Sequence, residues 1–349
     1  MNDFSEYKKQ GEPEKYQKAQ NWGVAIGLQQ VDNLKPSKYL IDVAKDNIEG
    51  KISIDEANTQ VSQYYKKNPA KTIKEQDEKE ADEVSARIAK LLSTHTFSFN
   101  PAELISIHKS LFTGIFDKET AGKVRTYDIV KEEPILNGDT VIYGRADSIM
   151  ETLDYDFKQE KEFQYQGLSI KDKVSHIEKF VSGIWQIHPF AEGNTRTTAV
   201  FIIKYLKTFG IDINNKPFED NSWYFRNALV RANYSNFEKN IYETTEFLEK
   251  FFSNIILGSR YELKNRYLHV DYSQSAKMAL WNGTLDENRA LLLIKNDPKI
   301  TQQEISDATG LSLRTVKRII SKLQSENVLT RINGRRYGEW LINVSLKDI

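Results

Sequence analysis

Ten consecutive residues, Ile187-His188-Pro189-Phe190-Ala191-Glu192-Gly193-Asn194-Thr195-Arg196, bring an imidazole, a carboxylate, a glycine, an amide, a hydroxyl and a guanidinium into one stretch. A turn that only packs has no use for that collection. Gly193 lets the backbone approach phosphate oxygens, Glu192 can hold a hard divalent cation, and Arg196 adds a fixed positive fork. His188, just upstream, is a candidate general base. The flanking patterns say how these groups are positioned. Residues 174–185 carry Val174, Ile177, Val181, Ile184 and Trp185, the spacing of a helix with one buried face, and residues 197–206 carry Val200, Phe201, Ile203 and Leu206. The loop therefore joins two helices, and Gly193 to Arg196 fall at a helix N-terminus, where free N–H groups and the positive end of the dipole favour an anion. The plain alternative is a capping histidine followed by an ordinary i, i+4 pair between Glu192 and Arg196.

The stretch resembles the Fic motif, H-P-F-x-[D/E]-G-N-[G/K]-R-x-x-R, of enzymes that transfer AMP from ATP to protein hydroxyls. His188, Pro189, Phe190, Glu192, Gly193, Asn194 and Arg196 fit. Thr195 stands where glycine or lysine is usual, and Ala199 stands where the second arginine belongs. Seven matching positions weigh against the plain alternative. The resemblance implies that His188 deprotonates the target hydroxyl, that Glu192 positions Mg²⁺ on the ATP phosphates, and that Gly193, Asn194, Thr195 and Arg196 cradle them. The missing arginine, which normally helps hold the terminal phosphate, leaves the nucleotide's identity and pose open.

Over the whole chain of 349 residues, Lys plus Arg and Asp plus Glu both number 49. This length predicts two or three domains, and the charge balance leaves only local patches to meet nucleic acid. There is no cysteine, which excludes disulfides and cysteine–zinc sites and is compatible with a reducing cytoplasm. The first residues are polar, and no stretch has the roughly 20 apolar residues of a membrane span. The expectation is a cytoplasmic protein without a membrane partner. Apolar residues recur mostly at helical spacing, which predicts a mainly α fold.

Residues 1–70 read as a helical module, with helices over 21–30, 37–49 and 54–66. Residues 47–56 are similar to the later part of antitoxin modules that inhibit Fic toxins through [S/T]-x-x-x-E-[G/N], whose glutamate pairs with the second motif arginine. No such pattern occurs here; the corresponding place reads Ala25-Ile26-Gly27-Leu28-Gln29. Glutamate and arginine are absent together, as the penalty on an unpaired buried charge favours. Control by this module, if any, is then expected to be steric, or to act through the packing of Trp22, Ile26 and Leu28 against the catalytic domain, rather than through a charge pair.

Residues 71–258 are assigned to the catalytic domain. Residues 71–79 read as a charged connector or helix start, 81–92 and 101–112 as helices, with Glu83 and Arg87 an i, i+4 pair and His108 a core histidine. Ile107-His108-Lys109-Ser110-Leu111-Phe112 and Ala121-Gly122-Lys123-Val124-Arg125 look like the early Fic-domain helix and its A-G-x-x-R turn. Around Asn137-Gly138, Ile135, Leu136, Val141, Ile142 and Tyr143 predict a β-hairpin. The resemblance makes it a flap that aligns the target by strand addition. Helices follow over 222–234 and 237–256; by analogy Asn233 and Tyr234 are candidates for the adenine or ribose, against a core reading.

Residues 259–285 read as a linker with a short helix, and 286–349 as a separate module of three helices and a hairpin that resembles a winged helix-turn-helix. Arg314, Lys317 and Arg318 on its third helix, with Arg331, Arg335 and Arg336 on the wing, are its candidate DNA contacts. The expected architecture is thus mainly α: a Fic helical core with a β-hairpin flap, plus the winged helix-turn-helix. The expected activity is AMP transfer from ATP, with Mg²⁺, to Ser, Thr or Tyr of a protein target or of the chain itself. The alternative is a DNA-binding transcriptional regulator whose Fic domain is a sensor or transfers another phosphate-linked group. A homodimer is compatible with the sequence, which sets no oligomeric state.

Overall fold

The structure, a computed structural model, describes residues 4–118, 120–210, 214–271, 284–326, 328–332 and 338–342. It divides into two compact units, residues 1–268 and 269–349.

The first unit is helical: α1 Ser5–Lys9, α2 Pro13–Gly27, α3 Lys38–Ile48, α4 Ile54–Lys67, α5 Ile73–Ser93, α6 Pro101–Phe112, α7 Ile149–Glu162, α8 Ile170–Ile187, α9 Asn194–Thr208, α10 Lys216–Asp220, α11 Ser222–Ala232 and α12 Glu246–Ile256. Helix starts follow local chemistry. Ser53 with Glu56 and Thr72 with Glu75 form capping boxes on α4 and α5, so the charged residues after Thr72 begin a helix rather than a connector. At the centre lies α9, buried at every residue from Asn194 to Leu206 and packed against α5, α6 and α8. Even its Lys204 is buried, because the ammonium donates to the Leu91 and Thr94 carbonyls that end α5.

α2 packs against both α5 and α10. A Cβ on Gly27 would come within 2.2 Å of the Glu219 carbonyl oxygen, and one on Gly23 within 2.6 Å of the Glu219 carboxylate. Only glycine lets the two helices approach so closely. The Gly27 carbonyl then accepts from the Ser222 hydroxyl at 2.6 Å, and Trp22 Nε1 donates to Asn47 Oδ1 at 2.9 Å. The segment that lacks the inhibitory glutamate is thus deeply packed.

Two sequence expectations need correction. Residues 134–144 form no hairpin: Pro134–Leu136 is a 3-10 turn, Asn137 and Gly138 have positive φ, and no strand pairing follows. Ile135 and Leu136 are both buried, so the first arm does not alternate as a two-faced ribbon requires, although Val141, Ile142 and Tyr143 of the second are buried, exposed and buried. The helix expected from residue 237 starts at Glu246; before it, Asn236 and Ile241 pair across a tight turn in which Asn240 has φ 51°. The Glu83–Arg87 pair forms, at 2.6 Å.

The second unit has α13 Leu285–Asn296, α14 Gln302–Thr309 and α15 Leu313–Ser325, then antiparallel β1 Leu329–Ile332 and β2 Glu339–Ile342, with Leu329 opposite Ile342. Capping boxes start α13 (Thr284 with Glu287) and α14 (Thr301 with Glu304). Leu291, Ile294, Ile305, Val316, Ile320, Leu323 and Trp340 form its core, and Trp340 Nε1 donates to the Ile300 carbonyl at 3.0 Å. This is the three-helix, two-strand winged arrangement. Among the described residues no helix is long and apolar enough to cross a membrane.

Candidate active site

α8 stops at His188, whose φ of 51° and ψ of 60° are left-handed. The other non-glycine residues with positive φ among those described, Asn33, Asn137 and Asn240, are asparagines, which tolerate the region. A histidine there is strained, and strain of this kind concentrates at functional sites. Its Nδ1 lies 3.2 Å from the Trp185 carbonyl oxygen. Because a carbonyl only accepts, Nδ1 carries the proton and Nε2 keeps its lone pair. Burial, and then the nearby Lys131, Arg125 and Arg226 cations, hold the imidazole pKa well below its ordinary value, against an opposing pull from the Trp185 carbonyl. The result is a neutral imidazole whose Nε2 is free to accept a proton. The Tyr143 ring covers it, centroids 4.2 Å apart.

Two buried side chains hold the loop from behind. Arg125 Nε donates to the His188 carbonyl at 2.8 Å and Nη2 to those of Ile187 and Gly144, while the Arg125 amide donates to Pro189 O at 2.9 Å. His108 accepts from the Gly122 amide through Nδ1 at 2.8 Å, so its Nε2 is the donor to Glu192 O at 3.0 Å. It stacks on Phe190 at 3.8 Å, and burial pushes its pKa down to about 4. The core reading of His108 is right, and its core position lets it fasten the loop.

Gly193 caps α9 with φ 76°, and a Cβ there would meet the Phe112 ring at 2.4 Å. The first-turn N–H groups of α9 have no intrahelical acceptor, which leaves an anion-binding cradle. Its side chains are all engaged within the protein. Asn194 accepts from the Phe190 amide and donates to the Phe190 carbonyl, closing the loop on itself. Thr195 is turned inward and accepts from Trp185 Nε1 at 3.0 Å. Arg196 is buried: Nη2 is 2.7 Å from Glu80, Nη1 donates to Gln29 at 3.1 Å, and Nε lies 2.7 Å from Asp32 Oδ2 as an ion pair without a directed hydrogen bond.

What remains is a cavity of about 30 Å³ lined by Asp32, Lys131, Glu133, Trp185, His188, Glu192, Gly193, Asn194, Thr195 and Arg226. Arg196 does not line it. Asp32, Lys131, Glu133 and Arg226, which do, carry no signal in the sequence; they come from three distant segments, and no local spacing links them. Glu133 is fully buried and pairs with Arg226 at 2.7 and 3.0 Å. Asn233 and Tyr234 lie elsewhere: Asn233 Nδ2 donates to Ser182 Oγ and Leu229 O, and Tyr234 donates to Asp139 at 2.7 Å, anchoring the 134–144 loop. Of the flap candidates, Ile142 presents its side chain to solvent and its carbonyl to Gln186 Nε2.

Glu192, the candidate metal ligand, has an exposed carboxylate, and among the described residues no group of three His, Cys, Asp or Glu is placed to hold an ion. One carboxylate fits Mg²⁺ that arrives on phosphates, which supply its other ligands. In the second unit, Arg314, Lys317 and Arg318 are exposed on α15, while Arg331 sits over the Trp340 ring at 4.4 Å. Arg335 and Arg336 lie outside the described residues.

A family model described as Fic/DOC family matches residues 98–206, and one described as winged helix-turn-helix DNA-binding matches residues 287–330. Protein adenylyltransferase VbhT of Bartonella schoenbuchensis is 26% identical over 192 residues, a match spanning 51% of this chain and 38% of that relative's length. Similar solved structures include the N-terminal Fic domain of an effector protein from Bartonella sp. AR 15-3, 21% identical over 54% of this chain and 85% of that one, with a TM-score of 0.42. BepC of Bartonella tribocorum with bound AMPPNP is 20% identical over 54% of this chain and 90% of that one, also at 0.42.

Proposed function

From a chain that carries a Fic domain over residues 98–206 and a winged helix-turn-helix over 287–330, we propose that the protein transfers AMP from ATP to a Ser, Thr or Tyr hydroxyl, on a protein partner or on itself. The observation that carries this reading is His188, buried, neutral and with Nε2 unprotonated, beside the N-terminus of α9. His188 Nε2 takes the proton as the target oxygen attacks the α-phosphorus of ATP. The bond from that phosphorus to the bridging oxygen breaks, and pyrophosphate leaves. The α9 N–H groups stabilise charge on the phosphates. Mg²⁺, held by Glu192, would neutralise phosphate charge as the nucleotide binds.

The relative VbhT is named a protein adenylyltransferase, which supports the reaction class. Incubation with labelled ATP tests it: label must appear on protein and disappear in His188→Ala. Label that persists in that variant overturns the assignment of the base. Because Ala199 replaces the second motif arginine, ATP, GTP, UTP and CDP-choline should be compared by intact mass.

The winged unit supports a second role. Its basic α15 face fits DNA phosphates, and binding by the full chain should weaken steeply with salt. No shift of any DNA fragment at low salt would remove that role.

A further inference from the structure

The motif's retained arginine is enclosed by two carboxylates and a glutamine, and the second arginine is replaced by buried Ala199. Neither position offers a cation to the cradle. Among the described residues, two cations line the cavity, Arg226 and Lys131. Arg226 is held by both oxygens of Glu133, a buried carboxylate that would lose its partner if the guanidinium moved. Lys131 is different. Its ammonium lies 3.2 Å from Glu192 Oε2, a largely exposed carboxylate, at the end of a flexible stem. Its backbone is anchored, with the Lys131 amide donating to Thr140 Oγ1 across the base of the 134–144 loop.

We propose that Lys131 is the phosphate-binding cation of this site, supplied from the loop opposite the motif in place of the guanidinium that the motif lacks. In the ligand-free arrangement its ammonium rests on Glu192. When phosphates enter, it turns to their oxygens, and the Glu192 carboxylate becomes available to a divalent cation. The inference deepens the nucleotide-transfer reading and rests on it for the identity of the ligand, though not for the phosphate chemistry.

The test is calorimetric titration of the full chain with inorganic pyrophosphate and with AMPPNP, with and without Mg²⁺, for wild type, Lys131→Met and Lys131→Arg. Without Mg²⁺, Lys131→Met should bind both probes about tenfold more weakly, whereas Lys131→Arg should stay within about threefold of wild type. In labelled-ATP kinetics Lys131→Met should raise KM by a similar factor. Wild-type affinity in Lys131→Met, or an arginine variant as weak as the methionine variant, overturns the assignment. Lysine-dependent pyrophosphate binding without any transfer would sink the adenylyl-transfer reading and leave Lys131 standing. A wild type that binds neither probe would sink both.

Discussion

Asp32 Oδ2 lies 2.7 Å from Arg196 Nε, so a residue following α2 places a carboxylate against the guanidinium of the phosphate motif. The sequence pointed to steric control or control through the packing of Trp22, Ile26 and Leu28, because the inhibitory glutamate and the second arginine are both missing. The structure shows a charge pair on the arginine that is retained, with Glu80 on its other side. Asp32 also lines the cavity, where its charge opposes an incoming phosphate. Asp32→Asn should therefore strengthen AMPPNP binding several-fold, about fivefold at low ionic strength and less at high salt. Calorimetry at two salt concentrations checks this, and equal affinities at low salt would refute it.

The pH dependence of transfer follows from His188. Its pKa is held below the ordinary imidazole value, chiefly by burial and then by Lys131, with Arg125 and Arg226 adding to it. The base is active when neutral, so activity should persist as pH falls through about 6.5 and decline only in more acid solution. An acid limb of the kcat profile centred at or above that value would contradict the site described. His188→Ala should lower kcat by about 10²–10⁴.

His108 predicts a stability effect. Its folded pKa of about 4 is below the unfolded value, so the unfolded chain binds more protons between the two. Its contribution is fully present above about 6.5 and is lost as pH falls towards 4. Urea unfolding at pH 7 and pH 5 should show a larger loss for wild type than for His108→Gln. Equal losses would mean that the histidine titrates freely.

Gly27→Ala would push a Cβ to 2.2 Å from a backbone oxygen of α10. The helices must separate, so a loss of about 2 kcal/mol or more is expected. Gly50, with φ 79° but nothing near its Cβ, should lose only about 1 kcal/mol on the same substitution, from backbone strain alone. Thermal unfolding compares the two.

On α15, Arg314→Ala, Lys317→Ala and Arg318→Ala should each weaken DNA binding by the full chain across sequences and flatten the salt dependence by about one unit of slope for each phosphate left without its cation. An unchanged slope in all three would move the DNA-binding surface off this helix.

Much of this protein was legible locally. The capping box at Thr301, apolar spacing in α8 and α15, and the density of reactive side chains from His188 to Arg196 are all short-range signals. Helix hydrogen bonds and caps act within a few residues, so the elements, the loop at a helix N-terminus and the separate winged unit can be read from neighbours in the chain. What Arg196 binds, which cation faces the cradle, and whether Asn137-Gly138 turns a hairpin are decided by groups far away in sequence. Arg196 meets Gln29 across 167 positions, Arg226 meets Glu133 across 93 and Lys131 meets Glu192 across 61. The Asn-Gly turn forms, but Ile135, Leu136, Val141 and Tyr143 are drawn into the core together, and burial outweighs strand pairing. Ion pairing and burial depend on distance in space, which only the packed fold sets.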